Sequence, residues 1–221
     1  MTFDNVVHNF DRIVQATIES IYMVFFSLFF AVLIGVPLGV LLIITGPGHL
    51  WPKRWLHEAL GMVVNIFRSV PYIVLILWTI PVSRALIGTS YGTNAAIISL
   101  VAGSSPFFAR LAESAMREVG RGVIEAAQAM GARTIDIIWK VLLPESFPGI
   151  ISGITVTAVA LVSYSAMAGL VAGGGLGAMA WNDGYNSFKN DILFVATVLL
   201  IIIVQVIQWI GDRLVRRVDK R

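Results

Sequence analysis

Polar side chains that could do chemistry are scarce in this 221-residue chain, and they stand in three places. The first is a charged stretch from Gly120 to Pro144. The second is Arg68, a lone cation in the apolar run NIFRSVP. The third comprises Tyr164, Ser165 and Met167, which come just before a glycine-rich stretch. These residues suit docking, ion pairing and solute contact rather than bond breaking.

The residue arrangements that catalysis needs are missing. The chain has no cysteine and therefore no thiolate metal site. Its three histidines do not have the HExxH spacing of a zinc site, and the sequence has no Walker A motif for ATP binding. No pairing of a nucleophile with a general base is apparent either. The basic tail lacks the aromatic interleaving that nucleic-acid binding favours and is typical of a juxtamembrane segment. The sequence predicts no enzyme, no metal site, no cofactor of its own and no nucleic-acid partner.

The charged stretch 120–144 has the period of an amphipathic helix. At 100° per residue, its polar side chains fall on one side and its apolar ones on the other. Gly131 interrupts the pattern, where it costs roughly 1 kcal/mol relative to alanine. We therefore predict two short helices with a bend, or a close backbone contact, and expect Pro144 and Pro148 to end the segment. An ordinary interfacial helix is the alternative interpretation.

Arg68 and Met167 are the candidates for a path through the membrane. A charge at mid-bilayer costs about 2.5 kcal/mol or more, so Arg68 is expected to face a cavity or a partner. It either borders a translocation path, where it meets a carboxylate, or snorkels to the cytoplasmic boundary. Met167, with Tyr164 and Ser165, is predicted to form a gate, although a core methionine beside turn glycines is equally compatible.

Arg110 and Glu113 are three residues apart on one helical face. The sequence favours a structural ion pair between them. The alternative is a gate or a contact between two copies of the chain.

The elements that must position these residues are membrane-spanning helices. The chain is 57% hydrophobic and 13% charged, with a mean hydropathy of +0.82. This composition predicts one all-α integral membrane domain over 1–221. Five spans are expected, the second of which could instead occupy 69–86 and the third of which contains an interruption at 103–106. The predicted spans are approximately 18–45, 59–81, 93–116, 149–171 and 192–210.

The distribution of lysine and arginine predicts the orientation. The 46–58 loop, the 117–148 segment and the tail after 210 hold eleven of the sixteen, whereas the opposite side holds three. Because positive charge is retained in the cytoplasm, we expect the N-terminus outside and the C-terminus, with the charged stretch, in the cytoplasm.

The charged stretch resembles the EAA loop of ABC importer permeases. That pattern is Glu-Ala-Ala, three residues, glycine, nine residues, a branched apolar residue, one more residue and Leu-Pro. Every spacing is kept, with Val141 in place of the usual isoleucine. Longer runs, including SSPFFARLAE and YSAMAGLVAGGGLG, are similar to methionine importer permeases of the MetI type. The matching positions are Glu125, Ala126, Ala127, Gly131, Leu143 and Pro144.

The resemblance implies a type I ABC importer permease in a bacterial inner (cytoplasmic) membrane. It implies a homodimer with two ATPase copies, which bind ATP and magnesium, and a methionine-binding lipoprotein outside. The cargo would be L- and D-methionine, moved by alternating access. Glu125 would anchor the coupling helix, Gly131 its bend, and Met167 a constriction. Alternatives are an ABC permease for another amino acid or small solute, a channel or secondary transporter, and a membrane scaffold.

Overall fold

The structure is a computed structural model that describes residues 4–171 and 173–219. Every regular element in this part of the chain is helical, which confirms the all-α prediction. Two of the helices contain π-helical turns, Ile138–Leu142 before α8 and Ala180–Tyr185 after α9. The α-helices are α1 Asp4–His8, α2 Phe10–Thr45, α3 Arg54–Ser69, α4 Tyr72–Ile87, α5 Thr93–Arg117, α6 Arg121–Ala129, α7 Thr134–Ile137, α8 Leu143–Leu170, α9 Gly175–Met179 and α10 Asn190–Val218.

Four helical runs in the described residues are long and apolar enough to cross a membrane: α2, α5, the continuous run Thr134–Leu170, and α10. A fifth crossing requires α3 and α4 to act as one broken span, bent by 108°. The helices extend beyond the predicted spans. Helix α2 begins at Phe10, before the start predicted at 18, and α10 continues to Val218, beyond the end predicted at 210.

The second span is not the single helix predicted over 59–81. Helix α3 ends at Ser69 and α4 begins at Tyr72, with Val70 extended at φ −78° and ψ 124°. Pro71 explains the break, because its ring disfavours the helical conformation for the preceding residue and it has no N–H to donate. The alternative span 69–86 describes α4 more closely.

Three prolines expected to interrupt or end helices do not. Helix α5 runs through Pro106, so the predicted interruption at 103–106 is wrong. Ser104, Ser105 and Pro106 are buried, and packing outweighs the local preference. The prediction that Pro144 and Pro148 end the charged stretch is also wrong, since the helix continues through Pro148 inside α8 and through Pro144 at the start of α8. There the Leu143 N–H bonds to the Ile138 carbonyl, and this wider π turn makes room for the proline ring.

Small residues set the spacing between helices. A Cβ at Gly35 would lie 2.6 Å from the Phe108 ring, and one at Gly39 would lie 2.9 Å from the Ala109 carbonyl oxygen. Helices α2 and α5 therefore pack backbone to backbone, as small residues permit in membranes. Helix α8 packs against both α5 and α10 and brings Tyr164 and Met167 to one side of this core.

The glycine-rich stretch folds the chain back along α8. A Cβ at Gly169 would overlap the Ala178 backbone, and one at Gly177 would overlap that of Ala166. The first N–H groups of the returning helix α9 bond to α2: Gly175 donates to the Glu19 carboxylate and Leu176 donates to the Ser20 hydroxyl, each at 2.8 Å. The turn is therefore fixed to α2 at its N-terminal side.

Candidate functional site

The charged stretch bends at Gly131, as predicted, but only its first helix, α6, is short, because the second begins at Thr134 and continues to Leu170. Gly131 has φ +77° and follows α6. Its N–H bonds to the Gln128 carbonyl at 2.9 Å, and the Ala132 N–H bonds to the Ala127 carbonyl at 3.1 Å. This pair of bonds is a Schellman motif, in which glycine supplies the left-handed residue at lowest cost. The bend is therefore built into the backbone.

The motif residues divide between an exposed surface and the core. Glu125 and Ala126 are exposed on α6, whereas Ala127 is buried. Leu143 is half-buried and Pro144 is exposed, both in the first turn of α8. The surface available to a partner is thus the Glu125 face of α6 together with the open bend, where a Cβ on Gly131 would meet no atom within 4 Å.

A cavity of about 380 Å³ separates this surface from the loop that follows α2. Glu125 and Arg121 line it from α6, Arg117 from the end of α5, and His49 and His57 from the opposite side. Burial lowers the pKa of His49 below its usual value, and the positive charges of Arg121, Arg117 and His57 lower it further. The His57 Nδ1 donates to the Leu42 carbonyl at 3.0 Å, which ties α3 to the end of α2.

The predicted ion pair of Arg110 with Glu113 is confirmed, with an N–O distance of 2.7 Å. Glu113 is 1% exposed and is also paired with Arg117. Arg110 in turn donates to the Asn65 amide oxygen at 3.0 Å. The pair therefore joins α5 to α3 just above the charged stretch, a link that the i, i+3 spacing alone did not show.

A second cavity lies at the break between α3 and α4. Its volume is about 390 Å³, and Arg68, Tyr164 and Met167 all line it. Met167 is 44% exposed. The Arg68 guanidinium forms no hydrogen bond or ion pair within the described residues. The structure thus brings together three of the four residues proposed for the path.

Ser165 is the residue that the structure does not bring to this cavity. It is 1% exposed, and its hydroxyl donates to the Val162 carbonyl at 2.8 Å within α8. Residues 164 and 165 differ by 100° around the helix, so when Tyr164 faces the cavity Ser165 faces the core.

Sequence reasoning missed Tyr72, which forms one wall of this cavity. Its ring stacks on Tyr164, with centroids 4.6 Å apart and planes 20° apart. The Ser99 hydroxyl donates to the Ala96 carbonyl, so the Tyr72 hydroxyl donates to Ser99, at 3.0 Å. A Cβ at Gly103 would lie 3.3 Å from the Tyr72 ring. The only signal in the sequence was the position of Tyr72 directly after Pro71.

The sequence of residues 31–221 matches the family of inner-membrane components of binding-protein-dependent transport systems. The chain belongs to this family. It is accordingly an inner-membrane transport component.

Similar proteins cover nearly the whole chain. The chain is 51% identical to the probable D-methionine transport system permease protein MetI of Vibrio cholerae, over 96% of this chain and 95% of that protein. It is 50% identical to the methionine import system permease protein MetP of Bacillus subtilis, over 94% and 93%. Among solved structures, an inward-facing MetNI methionine ABC transporter has a chain with a TM-score of 0.93 and 44% identity, over 95% of this chain and 97% of that one.

A structure of much lower sequence identity has the same fold. An amino acid ABC transporter with only 14% identity superposes with a TM-score of 0.80 over 98% of this chain. The helical arrangement is therefore that of type I ABC importer permeases.

Proposed function

We propose that this chain is the membrane-spanning permease subunit of an ATP-driven importer of L- and D-methionine. The observation that carries the proposal is full-length likeness at about half identity to permeases named for methionine transport, together with the superposition on the MetNI transporter. The chain works as a homodimer with two ATPase subunits and receives solute from an extracytoplasmic methionine-binding lipoprotein. ATP and magnesium belong to the ATPase, so this chain performs no hydrolysis.

The cavity at the α3–α4 break is the proposed section of the solute path. Arg68 supplies a cation that has no partner among residues 4–171 and 173–219, which suits the carboxylate of an amino acid. Tyr164, held by the Tyr72 stack, and Met167 supply an aromatic face and a soft thioether for the methionine side chain. Ser165 contributes indirectly, because its bond to the α8 backbone helps to hold the turn that carries Tyr164.

The Glu125 face is the proposed contact with the ATPase. Glu125 and Ala126 form the exposed surface, Ala127 anchors α6 to the core, and Gly131 sets the bend. Leu143 and Pro144 connect the segment to α8, so a displacement of α6 and α7 reaches the helix that carries Tyr164 and Met167. Closure of the ATPase dimer on ATP would open the path to the outside, and hydrolysis would return it to the inward-facing state.

In the proposed orientation the N-terminus lies outside and the C-terminus lies in the cytoplasm, because most lysine and arginine residues then lie on the cytoplasmic side.

The test is ATP-dependent uptake of labelled L-methionine into proteoliposomes that hold the permease, its ATPase and its binding protein. Arg68→Ala should lower uptake at limiting methionine by about tenfold to hundredfold, since a hydrogen bond to a charged group contributes about 1.5–3 kcal/mol. Arg84→Ala is the matched control, because Arg84 is an exposed arginine in the last turn of α4, away from the cavity. Equal uptake by both variants would remove Arg68 from the path. Absence of methionine uptake by the unaltered complex would contradict the proposed function.

A further inference from the structure

Phe188 has an unusual backbone for its side chain. Among residues 4–171 and 173–219 it is the only non-glycine residue with positive φ, at 55°. Its side chain is 89% exposed. A bulky residue in the left-handed region is an outlier that persists only where the surroundings impose it. The backbone itself is set by a Schellman pair of hydrogen bonds like that at Gly131, in which glycine is the usual left-handed residue. Because the ring is exposed where a glycine would be less costly, the presence of phenylalanine calls for an explanation outside the chain.

The loop around Phe188 is held firmly. Phe188 donates its N–H to the Tyr185 carbonyl at 3.2 Å, and Lys189 donates to the Gly184 carbonyl at 2.9 Å. A Cβ at Gly184 would lie 2.9 Å from Leu193 Cβ, so the turn is packed directly against α10. The Phe188 ring is therefore presented on a fixed backbone, which reduces the entropy lost when it binds.

The composition of the loop places the ring in water rather than in lipid. Polar side chains precede and follow Phe188 in the sequence, whereas the Trp181 and Tyr185 rings stack one to two turns earlier, with centroids 5.1 Å apart. Such an aromatic pair is typical of the headgroup level. The polar residues of the tip are Asn182, Asp183, Asn186, Ser187, Lys189 and Asn190.

The side of the membrane identifies the partner. The loop precedes α10, whose other end carries the basic tail, so in the proposed orientation the loop lies on the outer face. The family is that of binding-protein-dependent transport systems, and in the proposed function the binding protein delivers solute at this outer face. A rigid, exposed aromatic ring with a polar rim is the typical centre of a protein–protein contact.

We propose that Phe188 is a docking anchor for the extracytoplasmic solute-binding protein, and that its ring inserts into an apolar pocket on that protein. The polar residues of the tip, including the Arg12–Asp183 ion pair at 2.9 Å, form the rim. This assignment rests on the proposed function, because it takes its partner from the binding-protein-dependent import cycle.

The test is a titration of the solute-binding protein against ATP hydrolysis by the reconstituted permease–ATPase complex. Phe188→Gly removes the ring but suits the backbone, and it should raise the half-maximal concentration about tenfold or more. Phe188→Ala should raise the half-maximal concentration of the binding protein as much. Phe188→Trp keeps an aromatic ring, and its half-maximal concentration should stay within about threefold of that of the unaltered complex. Hydrolysis without the binding protein should be unchanged in all three. Phe25→Ala, at an exposed phenylalanine within the apolar α2, is the control and should match the unaltered complex.

Two results would overturn the docking role while leaving import intact. If Phe188→Gly titrates normally and only Phe188→Ala is impaired, the position matters for its backbone and not for its ring. If the Phe188→Trp fluorescence is quenched by brominated lipid and insensitive to the binding protein, the ring lies in the membrane. Failure of any solute-binding protein to stimulate the unaltered complex would instead remove the import function, and the docking role with it.

Discussion

The bend at Gly131 allows the coupling proposal to be tested by backbone chemistry alone. No atom lies within 4 Å of a Cβ built on Gly131, so a substitution there meets no steric clash. The cost comes from φ +77°, which is about 1–2 kcal/mol for an L-residue with a Cβ. That free energy shifts the equilibrium between the bent and unbent segment by about 5–30-fold. The free-energy cost of Gly131→Val should exceed that of Gly131→Ala, because a residue with a branched side chain tolerates the left-handed region least.

The assay is methionine-stimulated ATP hydrolysis by the reconstituted complex, measured beside the amount of assembled complex. Gly131→Val should lower stimulation or assembly by roughly the 5–30-fold shift while membrane insertion stays normal. Gly131→Asn is the matched control, since asparagine occupies the left-handed position at helix ends, and it should retain most of the activity. Normal stimulation in Gly131→Val would refute the role of the bend in coupling.

Three further outcomes are expected. Glu113→Ala should destabilise the detergent-solubilised protein by about 1–3 kcal/mol, because two arginines lose a buried carboxylate, whereas Glu118→Ala at an exposed site should not change the thermal midpoint. Ser20→Ala should leave the Leu176 N–H unpaired, cost about 0.5–2 kcal/mol and speed amide exchange in α9; unchanged exchange would contradict the cap. The pKa of His49 is lowered in the folded state, so the unfolded chain binds the proton more readily. The free energy of unfolding should therefore be constant above pH 6.5 and fall as the pH drops below that value. His49→Gln should weaken this pH dependence.

Local chemistry made the charged stretch predictable from sequence. The helical period separated its two faces, and Gly131 signalled a bend because no other residue takes the left-handed conformation so cheaply. The Arg110–Glu113 pair was equally local, since residues three apart on a helix are neighbours.

Prolines show where sequence reasoning failed. Pro71 breaks a span, Pro106 lies inside an unbroken helix, and Pro144 is accommodated by a π turn. The residue is the same, and the difference comes from the helices packed around each one. Packing is a property of the folded chain, so local residue preferences could not predict where the helices of the second and third spans break or continue.

The cavity at the α3–α4 break was predictable only in part. Arg68 and Met167 were suggested by the cost of a charge in lipid and by the adjacent glycines. They are 99 residues apart in the sequence, and their meeting depends on the α3–α4 break and on the stack of Tyr72 with Tyr164. Ser165 directly follows Tyr164 in the sequence, and the 100° step of the helix turns it to the core once Tyr164 faces the cavity.

The most direct measurement of the central claim is competition for ATP-driven uptake. Proteoliposomes containing this permease, its ATPase and its binding protein would be loaded with ATP and given labelled L-methionine. The proposal predicts uptake that requires internal ATP and is displaced by excess unlabelled methionine but not by histidine or glutamine. ATP hydrolysis without methionine uptake would contradict the substrate, and methionine uptake without ATP would contradict the ABC importer mechanism.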